Sequence, residues 1–398
     1  MTPEIIQHIE KRSTELFTKI NDFREHLHQN PELSYVEYNT MTFVSEKLGE
    51  LGIPHEKGVG KTGVVGIIRA SHHSTDQPCI ALRADLDALP IQEETNQPYS
   101  SKIPGVMHAC GHDVHTSILL GVAEILNEIK EDLPQPIKLI FQPGEEKNPG
   151  GASIMIKDGV LQNPLVQAIY ALHVFPDLEV GQLGFREGLY MASCDEIYIS
   201  INGKGGHGAT PHRCIDPIFI GAQVVVNLQS VVSRHCDPTI PCVLSIGHFE
   251  ALGATNVIPS KALLKGTFRT MNEEWRAKAL NLIVQEVQQI ALAHGGTANV
   301  EISKGYPYLD NDPTLTQNLK KASLALFDSE KIFDLPIRMT SEDFSFYAQE
   351  VPACFFRIGV AKTDGSTQYG VHHPQFDIDK QSIIHGMRAL SIAPFSKI

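Results

Sequence analysis

Residues 137–146 read Ile137-Lys-Leu-Ile-Phe-Gln-Pro-Gly-Glu145-Glu146. An almost unbroken apolar run ends in a tight-turn dipeptide and two carboxylates. The run is too short for an ordinary helix and reads as a strand buried on both faces. Residues 79–84 (Cys-Ile-Ala-Leu-Arg-Ala) and 168–172 (Ala-Ile-Tyr-Ala-Leu) share that texture. Each is followed at once by side chains able to do chemistry: Asp85 and Asp87 after the first, His173 after the second. Helix-periodic segments lie between them. This alternation predicts an α/β fold with a largely parallel sheet. Such sheets gather ligands outside the carboxyl ends of their strands, so donors distant in sequence are expected to converge.

The stretch Met107-His-Ala-Cys-Gly-His-Asp-Val-His-Thr116 places His108, Cys110, His112, Asp113 and His115 within eight positions. Thiolate, imidazole and carboxylate are the donors from which proteins build transition-metal sites. The run leads into a helix-periodic segment with Val114, Ile118, Val122, Ile125 and Ile129 on one face. Cys110 is therefore expected near a helix N-terminus, where the dipole favours thiolate. A lone histidine is more often structural than a ligand, but this density reverses that expectation and predicts a metal site. Spacing nominates Cys110 and His112 as direct ligands. His108, Asp113 and His115 stay open between ligand and supporting role.

The other candidates are weaker one at a time. Adjacent carboxylates on a loop are usually only solvated. Aimed off a strand end, one of Glu145 and Glu146 can bind metal while the other shuttles a proton. His173, His372 and His373 read in isolation as ordinary histidines. Asp85 and Asp87 read as turn residues or as carboxylates that orient a metal-bound imidazole. The glycine-rich stretch 203–212 lacks the ending of a phosphate loop and reads as a loop letting His207 approach a ligand closely. Asn256 and Arg269 carry little signal alone.

The chain of 398 residues is too long for one ordinary core. From about residue 188 the pattern changes to strand, helix, strand, strand, helix, strand, the order of a ferredoxin-like module. The expected organisation is an α/β domain (1–187 and 305–398) interrupted by an inserted α+β domain (188–304). A formal charge of -13 argues against nucleic acid as a partner. No apolar run approaches a membrane span, and the first helix, with Ile5, Ile9, Leu16 and Ile20, lacks a signal-peptide pattern. Seven scattered cysteines suggest no disulfide framework, so a reducing cytoplasm is expected.

Taken together, Arg83–Pro90, Met107–Thr116, Phe141–Glu146, Ala171–Pro176, Gly203–Pro211, Asn256–Pro259, Gly266–Thr270, Ser341–Ser345 and His372–Pro374 resemble the M20 metallopeptidase/aminoacylase family. The likeness is to its amidohydrolase branch: hippurate hydrolases, N-acyl-amino-acid deacylases and auxin-conjugate hydrolases. The resemblance implies a phosphorylase/hydrolase-like, zinc-exopeptidase-type sheet domain. It further implies an inserted ferredoxin-like lid through which the chain forms a homodimer or tetramer. Carried over residue by residue, it implies metal ligands Cys110, His112, Glu146, His173 and His372 for two divalent ions. Mn or Zn comes first, and Co or Ni also suits such donors. Glu145 matches the general acid/base, and Asp87 the aspartate that supports a ligand from behind. Cys110 stands where most relatives have a bridging aspartate. His207 matches a histidine that polarises the scissile carbonyl, often in the partner subunit's site. Asn256 and Arg269 match residues that hold the substrate carboxylate. Thr340 and Lys380 depart from the common pattern at positions outside the ligand set.

The implied reaction is hydrolysis of a small N-acyl amino acid to a carboxylic acid and a free amino acid. Within the family, the rival is a dipeptidase or carboxypeptidase. A cysteine hydrolase with Cys110 as nucleophile leaves Glu145, Glu146, His173 and His372 without a task. A non-catalytic binder has no use for an unligated carboxylate at Glu145.

Overall fold

The structure, a computed structural model, describes residues 1–364, 366 and 368–397. The chain divides into two compact units. One comprises Met1–Tyr190, Asp310–Pro336 and Asp343–Ile398; the other comprises Met191–Leu309 and Ile337–Glu342. The first unit holds an eight-stranded mixed sheet. Its strands follow the order His55–Val59, Gly63–Ile68, Ile137–Gln142, Cys79–Asp85, Val166–Glu179, Ala353–Ala361, Leu183–Phe185 and Ile332–Asp334. Cys79–Asp85 runs parallel to both its neighbours, and Ala353–Ala361 runs parallel to Val166–Glu179. Every residue of Cys79–Asp85 and of Ile137–Gln142 is buried. Helices cover both faces of such a sheet, so the continuous apolar runs are the ones that fit. Lys138 interrupts one of them, and its buried ammonium donates to the carbonyls of Val160, Gln162 and Pro164 at 2.7, 2.7 and 2.9 Å. Three acceptors replace the water that burial removes.

The strand expected to stop before His173 continues to Glu179. Its parallel partner carries the ladder onward, pairing Arg357 with His173 and Ile358 with Val174. His173 therefore sits inside a strand, and its position is set by the sheet. The helix after the cysteine run spans His112–Glu128 and begins within that run. Fourteen of its residues are buried, among them Val114, Ile118, Val122 and Ile125, so it is a core helix rather than a one-faced surface one. Gly111, at φ 84°, makes the turn into it. A Cβ there would lie 2.6 Å from Val174 Cγ2, so only glycine fits between Cys110 and His112.

The second unit is a four-stranded antiparallel sheet in the order Cys242–Glu250, Lys261–Thr270, Asp195–Asn202, Thr297–Lys304. The helices Pro217–Ser230 and Glu273–Ala293 complete the ferredoxin-like strand-helix-strand-strand-helix-strand order. Asp195–Asn202 alternates between buried and accessible residues, as a sheet with one packed face requires. Its core gathers Ile197, Ile199, Ile201, Val224, Leu264, Phe268 and Ile283. Asp216 and Asn272 cap the two helices through hydrogen bonds to Ile218 N and Trp275 N. Against the limits 188 and 304 read from sequence, this unit starts at Met191, runs to Leu309 and takes in Ile337–Glu342. Hydrogen bonds from Ala192 N to Thr340 O and from Arg269 Nη1 to Met339 O hold that short segment, which carries no periodic pattern. No helix among the described residues is long and apolar enough to cross a membrane.

Arg276 and Asp195, both buried, form a two-point ion pair with both N–O distances at 2.7 Å. Removing the cation would leave a carboxylate in the core. Arg276→Ala is expected to destabilise the protein by about 3–5 kcal/mol, read as a lower urea midpoint.

Candidate metal centre

Four segments of the first unit bring their donors to one place. Cys110, His112 and His173 offer ligand atoms mutually within 4.8 Å, and so do Cys110, Glu146 and His372. Cys110 is common to both triads. A third grouping joins His112 with Glu145 and Glu146. The structure thus collects all five residues implied as ligands, together with the expected proton shuttle. Two triads sharing one soft donor suit two divalent ions, which these five residues would hold.

The ring orientations suit that use. His112 Nδ1 lies 2.9 Å from the Asp87 carbonyl and 3.2 Å from Asp87 Oδ1. With Nδ1 committed to Asp87, Nε2 is the nitrogen left for a metal, and this buried nitrogen has no hydrogen-bond partner. His173 Nδ1 donates to the Val174 carbonyl at 2.7 Å, and its Nε2 lies 3.5 Å from Cys110 Sγ. Each ring is thereby held in the tautomer that presents Nε2 to a metal. His372, at φ 66°, is half-exposed, and its Nε2 sits 3.2 Å from Glu146 Oε1.

Asp87 organises the opposite wall. Besides facing His112, it accepts the backbone N–H of Glu145 on Oδ1 at 3.1 Å and that of Glu146 on Oδ2 at 2.9 Å. Ser34 Oγ donates to the same Oδ2 at 2.6 Å. Behind it, Asp85 accepts from Arg83 and from His115 Nδ1 at 2.6 Å each, while His115 Nε2 accepts Val174 N–H at 2.9 Å. Asp343 takes Arg83 Nη2 and the Gln142 amide, joining the closing part of the unit to the strand that precedes the two glutamates.

The three residues left open in the cysteine run divide accordingly. His115 supports from behind the centre. Asp113 turns away to Arg24 and His28, at 2.8 Å from each. His108 is buried, belongs to none of the donor groups, and burial pushes its pKa down to about 4.

Charge completes the description. Burial and the Glu146 charge push the Cys110 thiol above its ordinary value, despite the opposing pull of His112. The expected lowering by the helix terminus is outweighed, because desolvation of a fully buried thiolate exceeds one dipole's contribution. A bound cation is what deprotonates such a thiol. Burial opposes charge on His112, yet Asp85 and Cys110 raise it well above the usual range. His173 moves the other way, held neutral by burial and the nearby Arg357. His372 is pushed up to about 10 by its contacts with Cys110 and Glu146.

The remaining candidates lie in the second unit. The pairs Gly206–Ile258 and His207–Val257 form a two-stranded ladder, and Gly208 N donates to Asn256 O at 2.8 Å. This ladder holds exposed His207 next to Asn256. Arg269, on Lys261–Thr270, is part-buried against Met339 O and Ser341 Oγ, at 3.1 and 3.4 Å.

The profile of Peptidase family M20/M25/M40 matches residues 81–393. The chain belongs to this family. It is 40% identical over 361 residues to the N-acetyl-L-cysteine deacetylase of Bacillus subtilis, covering 91% of this chain and 84% of that protein. The IAA-amino acid hydrolase ILR1-like 4 of Arabidopsis thaliana is 38% identical, covering 92% and 84%. Among solved structures, the YXEP protein of Bacillus subtilis, a dinuclear metal binding peptidase from the M20 family, superposes with a TM-score of 0.80. It shares 34% identity over 96% of this chain and 98% of its own.

In this M20 member, sequence reading missed Glu37, Tyr35 and Ser34, which reach the centre's glutamate turn from the N-terminal segment. No residue-type cue marks them, because Glu37 is one carboxylate among many and lies in the loop just before the helix Tyr38–Glu50.

The raised His372 value has a consequence for loading. Below about 10 the ring carries a proton that a divalent ion must displace. Ion binding is therefore expected to release protons at pH 7. It should tighten as pH rises, by about tenfold per pH unit for each proton displaced. Titration calorimetry in buffers of different ionisation heat reads the proton count; pH-independent affinity would contradict the arrangement.

Proposed function

We propose that this M20 protein is a metal-dependent amidohydrolase that cleaves N-acyl amino acids to a carboxylic acid and a free amino acid. The observation that carries the reading is Glu145. It is buried beside the two donor triads that share Cys110, meets them through its grouping with His112 and Glu146, and has its backbone held by Asp87. The five residues of the two triads already supply the donors for both ions, which leaves Glu145 as the carboxylate for proton transfer. Support for the amide class comes from the deacetylase and amino-acid-conjugate hydrolase names of the relatives.

Cys110, His112 and His173 would hold one divalent ion, and Cys110, Glu146 and His372 the other. Zn or Mn is favoured by the mixed thiolate, imidazole and carboxylate donors. When bound, the ions supply an acidified water and a Lewis acid for the amide carbonyl. Glu145 would accept the proton of the attacking water and deliver it to the departing amine. Asp87 holds His112 and the glutamate turn in register throughout. Asn256 and Arg269 receive the substrate carboxylate, and His207 donates to the carbonyl oxygen as charge develops there. This division explains why the buried thiol serves as a ligand rather than a nucleophile: its surroundings favour the protonated form unless a cation is present.

The second unit is proposed to pair two copies into a homodimer. Val226 and Leu252 are 69% and 82% exposed. Phe249 packs toward Gly221 of the neighbouring helix, next to exposed Ile218 and Phe219. Cys242–Glu250, which carries Phe249, is an edge strand of the sheet, where another chain can add. All seven cysteines are unpaired, in keeping with a cytoplasmic setting.

Glu145→Gln is expected to keep two ions per chain by elemental analysis and to lose turnover of acetyl-, benzoyl- or indoleacetyl-amino acids by about 10²–10⁴-fold. Cys110→Ala should lose bound metal as well as activity. Substantial turnover by the Gln variant would refute the role of Glu145. Faster cleavage of dipeptides than of every acyl-amino acid would move the substrate assignment to the peptidase reading.

In solution, the dimer proposal predicts that Val226→Glu with Leu252→Glu shifts the light-scattering mass toward one chain. A wild-type monomer would contradict it.

A further inference from the structure

The turn that carries Glu145 and Glu146 lies between the strand ending at Gln142 and the helix beginning at Gly151, outside regular secondary structure. Its geometry must come from elsewhere. Three successive backbone N–H groups supply the answer. Those of Glu145 and Glu146 go to Asp87, and that of Gly144 goes to Glu37 Oε1 at 2.9 Å. Glu37 is completely buried, and its second oxygen accepts Thr62 Oγ1–H at 2.5 Å. A carboxylate in the core is costly unless its oxygens are satisfied, and both oxygens here have donors.

Glu37 belongs to a short strap that runs along this turn. At its start, the Ala88 amide donates to Glu32 O at 2.8 Å, and Leu33 bridges Ala88. Ser34 binds Asp87. Tyr35, in the left-handed region at φ 68°, donates its hydroxyl to Lys147 O at 2.8 Å. The Tyr35 ring lies so close to Gly144 that an added Cβ would come within 2.3 Å of Cε1. Gly144 itself has φ 62°. The strap therefore grips the turn on the residue before Glu145 and the residue after Glu146. It also precedes residues 81–393, which the family profile matches.

We propose that Glu37 is a positioning residue for the reaction: through the Gly144 amide it fixes the turn that aims Glu145 at the water and Glu146 at the ions. This rests on the function proposed above. Glu37 touches neither substrate nor ligand atoms; it acts through the backbone. Placement errors of about 1 Å cost on the order of 10²-fold in rate, which is the scale on which such a grip matters. The hydrogen bond, rather than the charge, is the active part. A glutamine keeps an oxygen for Gly144 N–H and lets its amide donate to Thr62 Oγ1.

Glu37→Ala and Glu37→Gln, compared with wild type in the full chain, test this. Steady-state hydrolysis of an acyl-amino acid and chelator competition with Zn²⁺ and with Mn²⁺ are measured together. For Glu37→Ala, kcat should fall about 10–100-fold with KM little changed, and ion affinity should weaken by a comparable factor. Glu37→Gln should recover most of both losses. An alanine variant with wild-type kcat and wild-type ion affinity overturns the proposal. A glutamine variant as impaired as alanine overturns the hydrogen-bond basis. If circular dichroism shows that Glu37→Ala does not fold, Tyr35→Phe carries the test. It keeps the ring on Gly144, removes the bond to Lys147 O, and should lower kcat in the same pattern; an unchanged kcat and ion affinity would overturn the strap. The affinity arm needs no substrate. A wild type that binds ions but hydrolyses no acyl-amino acid therefore defeats the functional reading while leaving the positioning role to be judged on Glu37→Ala affinity.

Discussion

One buried carboxylate, Asp87, meets the imidazole of His112 and the consecutive amides of Glu145 and Glu146. A ligand ring from a helix start and a glutamate pair from a strand end are thereby tied to a single acceptor. Most other features of the centre depend on that tie. The His112 ring orientation is set by it, and the place of Glu145 beside the donor triads follows from it. The ionised form of Asp87 is favoured in spite of burial, chiefly through the His112 contact. A neutral acid would surrender acceptor capacity that all of these donors use.

Around this tie the electrostatics are arranged in opposing pairs. Arg83 and His115 face Asp85, Arg24 and His28 face Asp113, and Cys110 and Glu146 face His372. The first two pairs are fully buried and closed, and they brace strand and helix ends. The third opens to a half-exposed ring, and its groups are held in the protonation states that a cation would replace. The same region is thus rigid behind the donors and exchangeable in front of them. That combination suits a site that must take up ions without losing its shape.

Much of this was legible in the residues. The apolar runs at 79–84, 137–141 and 168–172 predicted the buried parallel strands, because only strands covered on both faces are continuously apolar. Donor density also pointed to Cys110 and His112, which the structure places in one donor cluster. His173 was mislocated to a strand end because periodicity cannot show where a ladder partner stops; the pairing of Arg357 with His173 decides that. The thiol's acidity was misjudged for a similar reason. A helix start is visible in sequence, but the depth of burial and the approach of Glu146 are not.

The sequence by itself determined the donor types, the alternation that builds an α/β sheet, and the inserted ferredoxin-like order, since these rest on local pattern and on spacing. Only the tertiary structure decided which histidines face the Cys110 sulfur and which lie behind it. His108, His115 and Asp113 share one short run with the ligands, yet they end up buried away from the donor triads, bracing Asp85, or pairing with Arg24. It also decided that Glu37 and Asp87, separated by fifty residues, hold successive amides of one turn. Hydrogen bonds to backbone N–H groups leave no mark on residue type at the donor end. Such a grip becomes visible only when the chain has closed upon itself.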